Sequence, residues 1–116
     1  NTPLHALVLF NGPQFVEAAR VLAETLLSEA TGDADAAVAE GFYRLTSRRP
    51  DDEEQQILSR MVADQRTWYG AHPDEANKLL AVGQRPRNEQ LPEVETAALA
   101  AVLSGLLAHD ESVVKQ

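Results

Sequence analysis

Apolar residues recur along the chain at three- and four-residue intervals, and no run alternates apolar with polar positions as a half-buried strand would. The pattern predicts helices. The first is expected from Pro3 to Phe10. Thr2 suits its N-cap, and Pro3 suits the first helical position, where the N–H it lacks would be unpaired anyway. Asn11-Gly12 ends this helix, and Pro13 opens a second one reaching about Glu29, with Phe15, Ala18, Ala19, Leu22, Leu26 and Leu27 as its inner face. Thr31-Gly32 stops it, and Asp33 caps the next, about Ala34 to Ser47, whose stripe is Val38, Phe42 and Leu45. Arg48-Arg49-Pro50 closes that helix, because a residue before proline is biased away from helical backbone.

Asp51, with Glu54 three residues on, has the spacing of a capping box. It starts a helix to about Gly70, with Ile57, Leu58, Met61, Gln65 and Trp68 on or near one face. A short helix over Asp74 to Ala81 follows Pro73 and ends at Gly83. Gln84 to Leu91 is the one long loop-like stretch. Pro92 starts the last long helix, to about Ala108, with Ala and Leu on most of its circumference. Such a helix sits centrally in a bundle or meets a partner. His109 to Gln116 is a last turn or a frayed tail. The expected fold is all-α: a compact bundle of four main helices plus one or two short ones. Its last long helix should pack on those from Pro13 and Asp51. Residues 1–116 read as one helical domain, and a chain beginning without Met reads as a piece of something longer.

Charge and composition narrow the function classes. Eighteen acidic against ten basic side chains give a net charge of −8, where a nucleic-acid binder would show a basic stripe. With no cysteine, the chain has no disulfide, thiolate metal site, covalent c-type haem or cysteine nucleophile of its own. The stretch Thr96 to His109, free of Asp, Glu, Lys and Arg, is shorter than the roughly 20 apolar residues of a membrane span. Neither nucleic acid nor membrane insertion is therefore expected. The first residues also lack the basic start of a signal peptide.

Candidate chemistry is sparse. His5, His72 and His109 fall in three separate elements without the i, i+4 partner of a helical metal site. His109-Asp110-Glu111 is the densest local set, but adjacent helical residues point apart. Asp51 through Glu54 fits a helix start, where negative charge meets the positive end of the dipole. Met61 fits a core stripe better than a haem ligand. Ser104-Gly105 lies inside a helical run, not in a nucleophile elbow. Arg44, Arg48 and Arg49 suit a helix C-terminus, with an anion or acidic-partner site as the alternative. Arg85 and Arg87 in the long loop offer the same choice. Trp68-Tyr69 is either half-buried core or a stacking platform for a sugar.

Three segments carry a family resemblance. The run from Asn1 to Arg20 (Asn-Thr-Pro-Leu-His-Ala-Leu, then Asn-Gly-Pro-Gln-Phe-Val-Glu-Ala-Ala-Arg) resembles the planctomycete PSD1 family, also called DUF1553. Phe42-Tyr43-Arg44 through Arg48-Arg49-Pro50 is similar to that family's aromatic-Arg-x-x-x-x-Arg-Pro segment. Leu106 to Glu111 is similar to its Leu-Leu-Asn-Leu-Asp-Glu-Phe ending. The likeness runs over essentially the whole chain and corresponds to the C-terminal part of the family domain. There are departures. His5 stands where the family has Gln, Gly12 where it has Asp, and Ala108 and Ser112 where it has Asn and Phe.

The resemblance implies a large exported multidomain protein, periplasmic or at the cell surface, that often carries a DUF1549 domain and a cytochrome-c-like domain. It implies no assigned activity. Any c-type haem would belong elsewhere in the parent chain, with no cofactor expected in this part. Two functional expectations follow. The first is a non-catalytic module that docks or stabilises other domains of the parent chain, or self-associates, through the apolar last helix or Leu4 to Phe10. The second is a share in an enzyme or glycan-binding site across a domain boundary, in a cytochrome- or polysaccharide-associated protein. Asn11, Trp68, Tyr69, Asp110 and Glu111 would have to converge there, and Asp110 with Glu111 could hold a metal. Arg48 and Arg49 complete the candidate interaction residues.

Overall fold

The computed structural model describes the backbone of residues 13–114 and the side chains of residues 16–107. The helix expected from Pro3 to Phe10, and Asn11, lie outside the described residues. Within them the chain forms five helices and no strand: α1 (Pro13–Glu29), α2 (Ala34–Thr46), α3 (Asp52–Ala71), α4 (Pro73–Leu80) and α5 (Glu93–Val114).

Local chemistry sets most boundaries. At the end of α1, Thr31 and Gly32 take positive φ angles of 53° and 90°, and the Gly32 N–H reaches back to the Leu27 carbonyl at 2.9 Å. That closure leaves helical carbonyls satisfied. Asp33 then caps α2 by accepting from the N–H groups of Asp35 and Ala36. The expected capping box opens α3: Asp51 accepts from Glu54 N–H at 2.8 Å, and Glu54 accepts from Asp51 N–H at 3.0 Å. His72 alone joins α3 to α4, and Pro73 takes the first helical position.

The last helix is the centre of the fold. Every residue from Thr96 to Ser104 is buried, so α5 has no solvent face over that span. It packs on α1 most extensively, then on α3, α2 and α4. This explains its Ala/Leu-rich circumference without a partner, because the four other helices surround it. The helix also continues to Val114, where the sequence suggested an end near Ala108. His109, Asp110 and Glu111 bring no Gly or Pro to stop it.

Two inner faces differ from expectation. On α1 the buried positions are Val16, Ala19, Arg20, Ala23, Glu24, Leu26 and Leu27; Ala18 is exposed and Leu22 half-buried. The face is rotated because two charged residues are turned inward. On α3 the buried positions are Leu58, Val62 and Tyr69, while Ile57 is 47% exposed. Met61, Gln65 and Trp68 are half-buried at the edge of that face.

Candidate functional site

The most developed polar arrangement ties α1 to the segment after α4. Glu17, Arg20 and Glu24 stand three and four residues apart, so they line one side of the helix. Arg20 is fully buried. Its Nε donates to the Val82 carbonyl at 3.3 Å, one Nη to the Glu24 carboxylate at 3.1 Å, and the other Nη to the Arg85 carbonyl. Glu17 accepts from the Gln84 and Arg85 N–H groups at 3.0 and 2.9 Å. Glu24 accepts from the Asn88 N–H at 3.1 Å. Three side chains thus hold five backbone groups of one loop. Gly83 lets the chain pass: its φ is +96°, and a Cβ there would overlap the Glu17 stem.

Such a node is stable only when complete. A guanidinium offers five donors in a fixed fork, and burying it without acceptors would cost several kcal/mol. Here the loop carbonyls and two carboxylates supply them. Sequence reading assigned no role to Glu17, Arg20 or Glu24. The usable signal was a polar i, i+3, i+7 stripe inside an otherwise apolar helical run.

The arginine cluster lies at the α2–α3 turn. Arg44 pairs with Glu29 at 2.8 Å and with Glu40 at 3.4 Å. Arg49 holds Glu40 at 2.8 Å and lies over the Tyr43 ring, 4.3 Å from its centroid. Arg48 grips Glu54 through both Nη atoms, at 2.7 and 2.6 Å, and lies 5.0 Å over the Phe42 ring. Each guanidinium therefore has an acidic partner within the chain. The Arg49 contact, with Arg44 behind it, holds the Glu40 carboxyl below its ordinary range. Ser47, at φ 66°, turns the backbone so that Arg48 and Arg49 reach different carboxylates.

Glu54 is held low as well. The Arg48 fork and the Asp51 N–H both favour its charged form and bring its pKa down to about 2. In an unfolded chain a glutamate titrates near ~4.3. The stabilisation is therefore fully present above the unfolded value and is lost as pH falls through the folded one. Denaturant unfolding from pH 5 down to 2 checks this. The native chain should lose more stability across the window than Glu54→Gln; parallel losses would contradict it.

Trp68, Tyr69 and His72 gather at the C-terminal end of α3. Trp68 and His72 stack at 4.1 Å with a 14° interplanar angle, and the His72 Nδ1 lies 2.8 Å from the Trp68 carbonyl. Trp68 meets Tyr69 edge-on at 5.0 Å. Tyr69 is only 3% exposed, so its ring belongs to the core and offers no open stacking face. Burial, and next the nearby Glu75 charge, push its phenol up to about 12. An unfolded tyrosine ionises near ~10, so stability linked to Tyr69 is retained below that value and falls as pH rises towards the folded one. Ultraviolet titration of the native chain against Tyr69→Phe should place the difference band near pH 12. A difference band near pH 10 with the fold intact would refute the assignment.

The candidate residues fall into separate places. Arg48 and Arg49 lie just before α3, and Trp68 and Tyr69 near its far end. Sixteen residues of helix between Asp52 and Trp68 span about 24 Å. The side chains of Asp110 and Glu111, like Asn11, lie outside the described residues. Among the described residues no group of three His, Asp or Glu side chains is placed to hold a metal ion, and no helix is long and apolar enough to cross a membrane.

Compared with known proteins, the chain matches the family PSD1, described as a protein of unknown function (DUF1553), over residues 1–62. That stretch covers α1, α2, the arginine turn and the first half of α3. No curated protein and no solved structure matches the chain. With more than half of its length matched, the chain belongs to the PSD1 (DUF1553) family.

Proposed function

We propose that the chain is a non-catalytic helical module of a larger exported bacterial protein, which it serves by docking or stabilising neighbouring domains. One observation carries this reading. Among the described residues, charged side chains of its family-like segments are engaged inside the chain itself: Glu17 and Arg20 on a loop, and Arg44, Arg48 and Arg49 on three carboxylates. Such engagement fixes shape and leaves these groups no reacting partner. The apolar circumference of the last helix is consumed within the bundle between Thr96 and Ser104. Docking therefore falls to the remaining surface, where Tyr43 and Ile57 are the exposed large apolar side chains among the described residues.

Hydrogen exchange tests the proposal. The chain is measured alone and within the parent protein. Docking predicts added protection on exposed faces of these helices, and loss of protection in the adjoining domains when Arg20→Leu loosens the module. Identical exchange in both settings would overturn it.

A further inference from the structure

Beside the Arg20 node, α1 and the following loop enclose an open groove of about 390 Å³, lined among others by Glu24, Thr25, Ser28, Glu29, Arg85 and Asn88. Arg85 is unusual in its setting. Both its backbone groups are fixed by α1, its N–H by Glu17 and its carbonyl by Arg20. Its guanidinium, in contrast, has no acidic partner among the described residues. Arg20, Arg44, Arg48, Arg49, Arg66 and Arg87 each hold a carboxylate. Among the described arginines Arg60 is the other without one; both are exposed, but Arg60 stands on α3, outside the groove.

We infer that this groove is a binding site for a small oxyanion-bearing ligand, with Arg85 as its charged anchor. Three features support this beyond the free cation. The two carboxylates in the lining are already engaged, Glu24 by Arg20 and the Asn88 N–H, and Glu29 by Arg44. Ser28 and Asn88 line the same groove, and their side chains bring neutral donors to it. The anchor is also preorganised. Its main chain is clamped before any ligand arrives, so binding orders a side chain and not a loop. Carboxylate, sulfate and phosphate share the planar or tripod oxygens that a guanidinium fork accepts.

The same geometry makes the site separable from the fold. The clamp uses only the backbone of residue 85, so Arg85→Gln should keep the loop in place. The test is an amide NMR titration of the chain with sodium acetate, sodium sulfate and sodium phosphate at matched ionic strength. Saturable shifts at Ser28, Arg85 and Asn88 are expected, and the strongest arm shows whether the site takes a flat carboxylate or a tetrahedral anion. Arg85→Gln should weaken binding at least tenfold with an unchanged urea midpoint, while Arg60→Gln leaves binding unaltered. Non-saturating shifts in all three salts, or equal losses from Arg60→Gln and Arg85→Gln, would overturn the inference.

Discussion

Replacing Arg20 by leucine should lower folding stability by about 3–5 kcal/mol, a large share of what a domain of this size holds. The substitution keeps the apolar stem's volume but removes every donor. Glu24, whose side chain is 11% exposed, is left without its cation. The Val82 and Arg85 carbonyls lose their partners as well. The cost arises from stranded polar groups more than from the lost attraction, because a buried ion pair gives back much of its Coulomb energy as desolvation. Two comparisons expose that origin. Arg44→Gln removes the charge of a side chain that is 40% exposed and should cost no more than about 1 kcal/mol. Arg20→Leu combined with Glu24→Leu should recover part of the single-mutant loss, because the stranded carboxylate goes too. Urea midpoints of the four proteins decide it. An Arg20→Leu chain as stable as Arg44→Gln would mean that the node contributes nothing.

That node also shows where sequence reading stops. The caps at Asp33 and at Asp51 with Glu54 were legible because every atom involved lies within a few residues. The central place of α5 was legible as one of two choices, because a helix without a polar face must be covered by its own bundle or by a partner. Arg20 was not legible in the same way. Its acceptors are 62 and 65 residues away, and a charged side chain is by default assigned to the surface. Turning it inward rotated the α1 face, which moved Ala18 out and Val16 and Ala23 in. On α3 the error was smaller and local. Ile57 and Leu58 are adjacent, periodicity alone favours neither, and packing of the bundle buries Leu58. The arginine cluster was visible as charge, but its partners were not. Glu40 stands one turn before Arg44 on the same helix, but Glu29 becomes its neighbour only after α1 and α2 fold against each other.

The contact of α2 with α5 leads to an expected reversal of sign. Gly41 faces the core from α2, and a Cβ built there would lie 2.6 Å from the Leu103 Cδ2 and 3.1 Å from the Leu26 Cδ1. Leu103 is fully buried, so Leu103→Ala should cost about 2–5 kcal/mol through lost burial and the cavity left behind. Gly41→Ala alone sets two effects against each other. Alanine improves helix propensity by about 1 kcal/mol. The added methyl meets a leucine branch that surrounding side chains hold in place, and overpacking of this kind costs about 1–3 kcal/mol. The net effect in the native background is destabilising. In the Leu103→Ala background the obstructing Cδ2 is gone, and only a small shift of Leu26 is needed. The methyl then enters space the leucine vacated, the propensity gain remains, and Gly41→Ala should stabilise. A four-protein cycle by chemical denaturation reads this coupling directly. Additive losses would show that the spacing of α2 and α5 is set elsewhere. The predicted reversal would show that the absence of a side chain at position 41 lets α2 come close enough to cover the central helix.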